Sequence, residues 1–317
     1  MRIAATFNAP IAGAVFALEV ILGRFHVTYF GAVVISAVTA DVVAHIFEKD
    51  ARAFTVPQYA LVSPWELGLY TLLGLLAAVG GVAFTRLLYF TEDRWDELHF
   101  PEYLKPVLGG LLLGVIGILS FKVDGFPRVF GVGYDSISDV LFGRLAIQVV
   151  VGLFLLKLLA TVMTLGSGGS GGIFAPSLFM GAMLGSLFGQ VAHDLLPSVT
   201  APAGAYAMVG MAAFFSSAAH APITAILILF EMTGDYRVIL GVMVSCILAT
   251  LIAQRLRRES IYTIKLLRRG IDLQAGQEAN VLRQLKVGDI LRRGDEVLVQ
   301  VIKEGIEIGR ASCRERV

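Results

Sequence analysis

The stretch GSGGSGGIFAPSLFM (residues 166–180) lies between two long apolar segments of the chain. Glycine fills five of its first seven positions, and Pro176 follows soon after them. Glycine allows backbone angles that other residues avoid, and proline is favoured in the first turn of a helix. The pattern is typical of two structures: a loop that binds phosphate, or a break in a membrane-spanning backbone that turns peptide N–H groups toward a ligand.

The composition of the chain places it in a membrane. Of its 317 residues, 56% are hydrophobic and 16% are charged, and the mean hydropathy is +0.75. A soluble domain carries about 25% charged residues. The segments 29–47, 66–90 and 145–165 approach or exceed the ~20 apolar residues that cross a bilayer. Because open structures other than helices leave backbone polar groups unsatisfied in lipid, we predict an all-α, polytopic integral membrane protein.

Three further apolar segments, 11–22, 173–189 and 221–232, are bounded by Pro, Gly or a charge, and we expect them to be too short to cross alone. Short interrupted segments indicate broken helices that meet near the membrane midplane. Two of them match each other, because an Ala-Pro pair is followed by a glutamate nine residues after the proline, in Pro10–Glu19 and in Pro222–Glu231. The match predicts an internal duplication whose two copies are inverted in the membrane.

The glycine-rich stretch also fits a nucleotide-binding pattern. Gly166, Gly168 and Gly171 satisfy G-x-G-x-x-G, and Asp194 follows 23 residues later. That pattern needs a preceding strand, whereas the segment before it has 21 apolar residues, the length of a helix. A membrane-embedded nucleotide-binding protein using the Gly166–Gly172 loop therefore stays as the alternative of another class. No catalytic or metal-ligand spacing accompanies it in the sequence.

The second interpretation of the loop has a physical mechanism. A helix that begins near Ile173 leaves its first N–H groups unpaired, and these groups with the positive end of the helix dipole attract an anion. A fixed lysine charge would hold the anion too tightly for rapid passage. For glycines alone, close packing of helices through small residues is the simpler explanation. The Phe-x-Pro sequence that follows favours the anion site.

Four motifs in order resemble the CLC family of chloride channels and proton-coupled chloride antiporters, and the resemblance covers about residues 4–270. They are FNAPIAGAVFALEV (7–20), GSGGSGGIFAPSLFMGAMLG (166–185), AHAPITAILILFEMTGDY (219–236) and SIYTIKLL (260–267). The second carries the family's G-x-F-x-P signature. The resemblance implies a CLC-type inverted repeat of broken, tilted helices, voltage-gated chloride transport, no enzymatic activity, and a homodimer in which each subunit holds its own anion pathway.

The resemblance also implies roles for individual residues. The backbone amides of Ile173 and Phe174 are expected to coordinate chloride, Gly171 and Gly172 to shape its approach, and Tyr262 to offer its hydroxyl. Without the resemblance, Tyr262 would be interpreted as an interfacial aromatic residue beside basic ones. The family's serine-bearing loop and its gating glutamate have no counterpart in the sequence. We therefore expect the first half of the repeat to be incomplete, and the 317 residues alone to show no normally gated chloride flux.

Glu19 and Glu231 each close an apolar run. The negative end of a helix disfavours a carboxylate, so each needs a partner or a proton, and both a structural and a proton-path role stay open. In antiporters of the family a second glutamate often follows the position of Glu19. Here that position is Val20, which cannot carry a proton, and this favours a channel over the alternative of a proton-coupled antiporter. Lys157 is expected to reach the membrane surface or to pair with an acid.

We predict three regions: a transmembrane domain (1–256), a cytoplasmic linker with the start of a CBS domain (257–306), and a non-native, adapter-derived tail (307–317). Fourteen of the 26 Lys and Arg residues lie from residue 255 onward, which indicates a cytoplasmic exit. Chloride and membrane lipid are the expected partners, with no cofactor and no nucleic acid; a nucleotide would bind only at a missing CBS region. The homodimer is expected to form through 11–47 and 221–250.

Overall fold

Helices follow one another through the part of the chain expected to cross the membrane. The computed structural model describes residues 2–23, 27–47, 56–57, 59, 62–234, 236–268, 296–299 and 309–312. The chain divides into two units, Met1–Tyr262 and Thr263–Val317. The helices of the first unit are α1 (Arg2–Phe7), α2 (Pro10–Phe16) with a π-helical continuation (Ala17–Leu22), α3 (Val27–Phe47), α4 (Glu66–Glu97), a 3-10 turn (Glu102–Leu104) leading into α5 (Lys105–Asp124), α6 (Tyr134–Leu141), α7 (Ile147–Gly166), α8 (Phe174–Leu195), α9 (Ala203–Ala219), α10 (Pro222–Thr233) and α11 (Ile239–Leu256).

Six helices of the described chain are long and apolar enough to cross a membrane. They are α3, α4, α5 with its preceding turn, α7, α8 and α11. The spans predicted at 29–47, 66–90 and 145–165 correspond to α3, α4 and α7. The described residues of the first unit contain helices and no strands, so the predicted all-α polytopic architecture is confirmed.

The expectation that 173–189 is too short to cross the membrane was wrong. The helix does not end at the glycine that closes this segment; it continues as α8 to Leu195 and reaches 22 residues. The apolar helices Pro10–Leu22 and Pro222–Thr233 are shorter than a crossing, as expected for the other two segments.

The two copies of the predicted repeat share their backbone geometry. Asn8 and His220 are the two non-glycine residues with positive φ in the described chain, at 51° and 56°. The alanine after each of them has φ and ψ of −138° and 72° in the first copy and −130° and 74° in the second. In both copies a proline then begins the helix. A left-handed backbone angle is uncommon outside glycine, so its recurrence at matched positions supports a true duplication.

The two copies lie antiparallel. Glu19, near the end of the first copy, contacts the beginning of α10, and Glu231, near the end of α10, contacts the beginning of α2. The end of each helix therefore lies beside the start of the other, so the two helices run in opposite directions. This confirms the predicted inversion. In each copy a glycine with a left-handed backbone conformation follows the glutamate. Gly23 lies four residues after Glu19, whereas Gly234 lies three residues after Glu231, so the first copy is longer by one residue. The π-helical continuation of α2 takes up this extra residue.

Small residues bring α8 and α9 into close contact at the centre of the first unit. Residues 204–219 of α9 are all buried, as expected for a helix that is apolar on every side. Gly181, Gly185 and Gly189 repeat at every fourth position along α8 and face α9. A Cβ atom placed on Gly185 would overlap the backbone oxygen of Tyr206. The spacing of these two helices therefore depends on the missing side chains.

We predict that Gly185→Ala destabilises the protein by about 1–3 kcal/mol, because the added methyl group forces two backbones apart. The thermal unfolding temperature in detergent measures the effect. Gly68→Ala is the matched control, since a Cβ atom on Gly68 has open space around it. Equal unfolding temperatures for the two variants would contradict the close contact.

A buried carboxylate anchors the first turn of α4. Glu66 has no exposed surface, and its oxygens accept hydrogen bonds from the backbone N–H of Val62 and Ala201 and from the hydroxyls of Tyr70 and Tyr206. The carboxylate thus joins the start of α4 to the segment before α9 and to α9 itself. Its position at a helix N-terminus is favourable for a negative charge.

The second unit contains α12 (Ile264–Arg268), β1 (Glu296–Val299) and β2 (Gly309–Ser312) within its described residues. The two strands pair antiparallel, with Glu296 opposite Ser312. The strand β2 falls inside the tail predicted at 307–317, and most of the segment 257–306 lies outside the described residues. The predicted linker, CBS start and adapter-derived tail stay predictions.

Candidate anion site

The glycine-rich loop leads into a helix start whose N–H groups have no partner among the described residues. The chain leaves α7 at Gly166, passes Gly168 in a left-handed conformation (φ 82°), and enters α8 with Ile173 as its N-cap residue. In the described structure no hydrogen-bond acceptor is found for the backbone N–H groups of residues 170–175, although every one of these residues is described. Ser177 N–H donates to the Ile173 carbonyl at 3.1 Å, which begins the helical pattern.

This geometry contradicts the nucleotide-binding alternative. The element before the loop is the helix α7, and a dinucleotide fold requires a strand there. Asp194 lies at the far end of α8, about 30 Å along the helix axis from the loop at 1.5 Å per residue. An acid at that distance cannot contact a ribose bound at the loop.

An aromatic cluster joins the helix start to Tyr262. The Phe174 ring packs on Phe7 and on Phe215, each with centroids 4.7 Å apart, and meets Phe16 edge to face at 6.1 Å. Phe16 in turn meets the Tyr262 ring edge to face at 5.6 Å. The structure thus links Phe174, which follows Gly172 and Ile173 in the chain, to Tyr262 through the single ring of Phe16.

The Tyr262 hydroxyl makes no hydrogen bond to any described part of the protein. Its ring is partly buried against the core. The residue before it, Ile261, is held by hydrogen bonds at both its N–H and its carbonyl group. Ile261 N–H donates to the Ala218 carbonyl at 2.9 Å, and the Tyr89 hydroxyl donates to the Ile261 carbonyl at 2.8 Å. The hydroxyl is therefore held in place with its donor available to a ligand.

A cavity of about 260 Å³ lies beside the loop and is lined by Gly171, Gly172, Ser170 and the buried Lys157, among others. Lys157 is buried, and among the described residues it forms no ion pair with an acid, so neither arrangement expected from the sequence is seen there. Its ammonium group donates to the backbone carbonyls of Val129 (2.8 Å) and Gly131 (2.7 Å). Two carbonyl dipoles partly offset its charge next to the cavity.

Glu231 accepts hydrogen bonds from the start of the other copy's helix. Ile11 N–H donates to Oε1 at 2.9 Å and Ala12 N–H donates to Oε2 at 2.6 Å. Pro10 has no N–H, and Gly13 N–H donates to the Ala9 carbonyl at 2.9 Å. The first turn of α2 therefore has all its N–H groups paired, two of them by a carboxylate that lies 219 residues or more away in sequence.

Glu19 does the same for α10. It accepts from Ile223 N–H at 3.1 Å, from Thr224 N–H at 2.7 Å and from the Thr224 hydroxyl at 2.6 Å. Ala225 N–H donates to the Ala221 carbonyl at 3.1 Å, so this first turn is also fully paired. Within the described structure, the partner of each glutamate is the N-terminal N–H groups of the other copy's helix.

Three broken helices can now be compared. In α2 and in α10 a carboxylate occupies the N-terminal amides, whereas in α8 the amides of Phe174 and Ala175 have no such group. The protein itself shows twice that a broken helix start of this kind accepts an anionic group. The sequence indicated the glutamates and the glycine loop separately, but it did not indicate this relation between them.

The fold and the site define a polytopic helical membrane protein built on an inverted repeat, with an open helix N-terminus suited to an anion. The family described as voltage gated chloride channel matches residues 3–254. The chain belongs to this family.

Two relatives and one solved structure illustrate the similarity. The H(+)/Cl(-) exchange transporter ClcA of Vibrio parahaemolyticus is 37% identical over 82% of this chain and 56% of its own length. The voltage-gated ClC-type chloride channel ClcB of Citrobacter koseri is 32% identical over 82% and 61%. The crystal structure of a slow cyanobacterial Cl-/H+ antiporter superposes with a TM-score of 0.75 at 29% identity, covering 84% of this chain and 62% of that one.

Family membership confirms the resemblance to the CLC family and the CLC-type fold, and the matched residues 3–254 include three of the four motifs. The relatives are named as a channel and an exchanger, which are transport proteins rather than enzymes. The chain spans about 60% of the length of these matched proteins. The roles of Gly172, Ile173, Phe174 and Tyr262 stay predictions, as do those of Glu19 and Glu231.

Proposed function

We propose that the chain forms the anion pathway of a chloride transport protein. Chloride binds at the start of α8, against the N–H groups of Ile173 and Phe174, with the Tyr262 hydroxyl as a further donor. Gly171 and Gly172 carry no side chain that would cover these N–H groups, and a Cβ atom on Gly172 would meet nothing within 4 Å. The observation that carries the proposal is the set of unpaired amides at residues 170–175.

The physical argument for a transport site rests on the strength of binding. Amide dipoles and a helix dipole attract an anion, yet they lack the full charge that would keep it bound. Lys157 adds a partly neutralised positive charge beside the cavity, and this charge raises the local anion concentration. The site therefore favours both entry and release.

Flux measurements on the protein expressed from its gene and reconstituted in liposomes test the function. We expect a chloride gradient to drive anion efflux that an empty liposome does not show. The external pH is recorded at the same time. A protein that binds chloride in solution but moves none across the bilayer would contradict the proposal.

We propose a voltage-gated channel, with a proton-coupled antiporter as the alternative. Val20 packs against the core at the position that follows Glu19, and a valine carries no proton. Both carboxylates of the repeat are used to pair helix starts, which leaves neither of them a free proton carrier in this arrangement. Proton movement driven by a chloride gradient would favour the antiporter.

We predict that Tyr262→Phe weakens chloride binding by about tenfold, the effect of one lost hydrogen bond to an anion of about 1.5 kcal/mol. The unfolding temperature should stay unchanged, because the hydroxyl has no partner in the described protein and the ring keeps its contact with Phe16. Isothermal titration with chloride measures the affinity. A variant with parental affinity would place the hydroxyl outside the site.

We further propose a homodimer in the membrane, formed through 11–47 and 221–250, with a cytoplasmic C-terminal extension. Much of α3 is not covered by the described residues: Ile35 is 69% exposed and Ile46 73% exposed. A helix of this apolarity needs lipid or a second subunit against it. Cross-linking between single cysteines introduced on α3, measured in liposomes, tests the interface. Labelling of the C-terminal extension with a reagent that cannot cross the membrane tests on which side of the membrane it lies.

A further inference from the structure

The two glutamates of the repeat do more than close their own helices. Each carboxylate binds the start of the other copy's helix with one oxygen per N–H group, at 2.6–3.1 Å. Charge-assisted hydrogen bonds of this kind are stronger than neutral ones. Because the contacts are reciprocal, neither α2 nor α10 can shift along its axis without breaking both.

The pairing of α2 bears directly on the anion site. Glu231 fixes the first turn of α2, and Phe16 lies at the end of the same short helix. The Phe16 ring stands nearly perpendicular to Phe174 (88°) and to Tyr262 (81°), so it separates them as a spacer. A movement of α2 would therefore change the distance between the α8 amides and the Tyr262 hydroxyl.

The pairing of α10 bears on the other wall of the site. Glu19 fixes the first turn of α10, directly after His220, whose φ of 56° makes the sharp turn out of α9. Two residues before this turn, the Ala218 carbonyl accepts the N–H of Ile261, the neighbour of Tyr262. The Glu19 contact therefore fixes the backbone that carries Tyr262.

We infer that Glu19 and Glu231 are positioning residues of the anion site: each acts as a tethered anion in the helix start of the opposite repeat, and together they set the spacing between the α8 amides and Tyr262. The inference rests on the proposed function for its effect on chloride. The occupation of the two helix starts by carboxylates stands on the geometry alone.

The first test uses the variants Glu231→Ala and Glu19→Ala of the protein expressed from its gene. We expect chloride affinity to fall about tenfold in each, because the charge-assisted hydrogen bonds that hold one wall of the site, two to Glu231 and three to Glu19, are lost. The vacated amides should then accept a small free anion. Formate at constant ionic strength is expected to raise the unfolding temperature of both variants, and to raise that of the parent much less.

Glu231→Gln and Glu19→Gln guard against variants that fail to fold. The amide keeps one acceptor oxygen and the shape of the side chain, so the Gln variants should fold and show a smaller loss of chloride affinity. Glu97→Ala is the control for removal of an acid, since Glu97 is exposed and forms an ion pair with Arg94 at 2.9 Å on the surface of α4. It should leave both chloride affinity and formate dependence unchanged.

Two results would overturn the inference. Parental chloride affinity in all four glutamate variants, with a lowered unfolding temperature, would show that the carboxylates stabilise the fold without positioning the site. Absence of any formate effect on both Ala variants would show that the helix starts do not function as anion sites. If the parent protein itself neither binds nor moves chloride, the proposed function fails, and the formate measurement still tests the tethered anions.

Discussion

Replacing the peptide N–H of Phe174 by an ester oxygen is expected to weaken chloride binding tenfold to a hundredfold. The substitution, made with the hydroxy-acid analogue of phenylalanine, removes a single donor and keeps the aromatic ring on Phe7, Phe16 and Phe215. A hydrogen bond to a charged group contributes about 1.5–3 kcal/mol, which corresponds to this change in the dissociation constant. Titration calorimetry of the purified protein with chloride measures it.

An ester at Leu178 is the matched control for that experiment. Leu178 is buried in the same helix, and its N–H belongs to the regular helical pattern rather than to the open first turn. Both esters also weaken the carbonyl of the preceding residue as an acceptor, so this side effect is common to them. We expect the Leu178 ester to lower stability slightly and to leave chloride affinity unchanged. Equal affinities for the two esters would remove Phe174 from the anion site.

The open helix start of the candidate anion site was predictable because the pattern that produces it is local in sequence. Glycines that free the backbone, a helix start at Ile173 and a proline in the first turn all lie within 11 residues, from Gly166 to Pro176. The unpaired amides follow from general properties of a helix start. The role predicted for Tyr262 came only from the family resemblance, because no local pattern relates it to a loop 90 residues or more earlier.

The inverted repeat was predictable for a different reason. Two copies of one pattern, with the same interval from proline to glutamate, define corresponding positions without any knowledge of the fold. The sequence also showed that each glutamate needs a partner. It could not identify that partner, because the helix start that Glu19 pairs is 204 residues or more away and offers only backbone groups, which are the same in every sequence.

Several features were missed because they depend on tertiary contacts alone. The segment after Gly189 carries polar residues such as Gln190 and His193, so the apolar pattern ends before the helix does. Polar contacts within α8 and to the segment before α9 are found there. Gln190 donates to the Ser186 hydroxyl at 3.1 Å, and His193 contacts the Thr200 hydroxyl at 3.0 Å. The buried Glu66 gave no signal either, since an acid before an apolar run ordinarily marks the boundary of a span.

Replacing Glu66 by alanine is expected to destabilise the protein by about 4 kcal/mol. Four donors lose their acceptor: the N–H of Val62 at 3.0 Å and of Ala201 at 2.7 Å, and the hydroxyls of Tyr70 at 3.3 Å and Tyr206 at 3.0 Å. Ala201 and both tyrosines are fully buried, so water cannot easily replace the carboxylate. Breaking a buried charged group out of such a network costs about 3–5 kcal/mol.

The unfolding temperature in detergent should fall by about 10 °C, since 1 kcal/mol corresponds to roughly 2–4 °C in a protein of comparable size. The unfolding temperature of Glu66→Gln should fall less than that of Glu66→Ala, because one oxygen remains as an acceptor. It should still fall, because the new NH₂ group faces existing donors. Glu97→Ala on the same helix supplies the comparison, as its exposed ion pair contributes at most about 1 kcal/mol. If Glu66→Ala unfolds at the same temperature as Glu97→Ala, the hydrogen bonds of Glu66 do not hold α4 against α9. The close packing of α8 on α9 must then be enough to keep α9 in place.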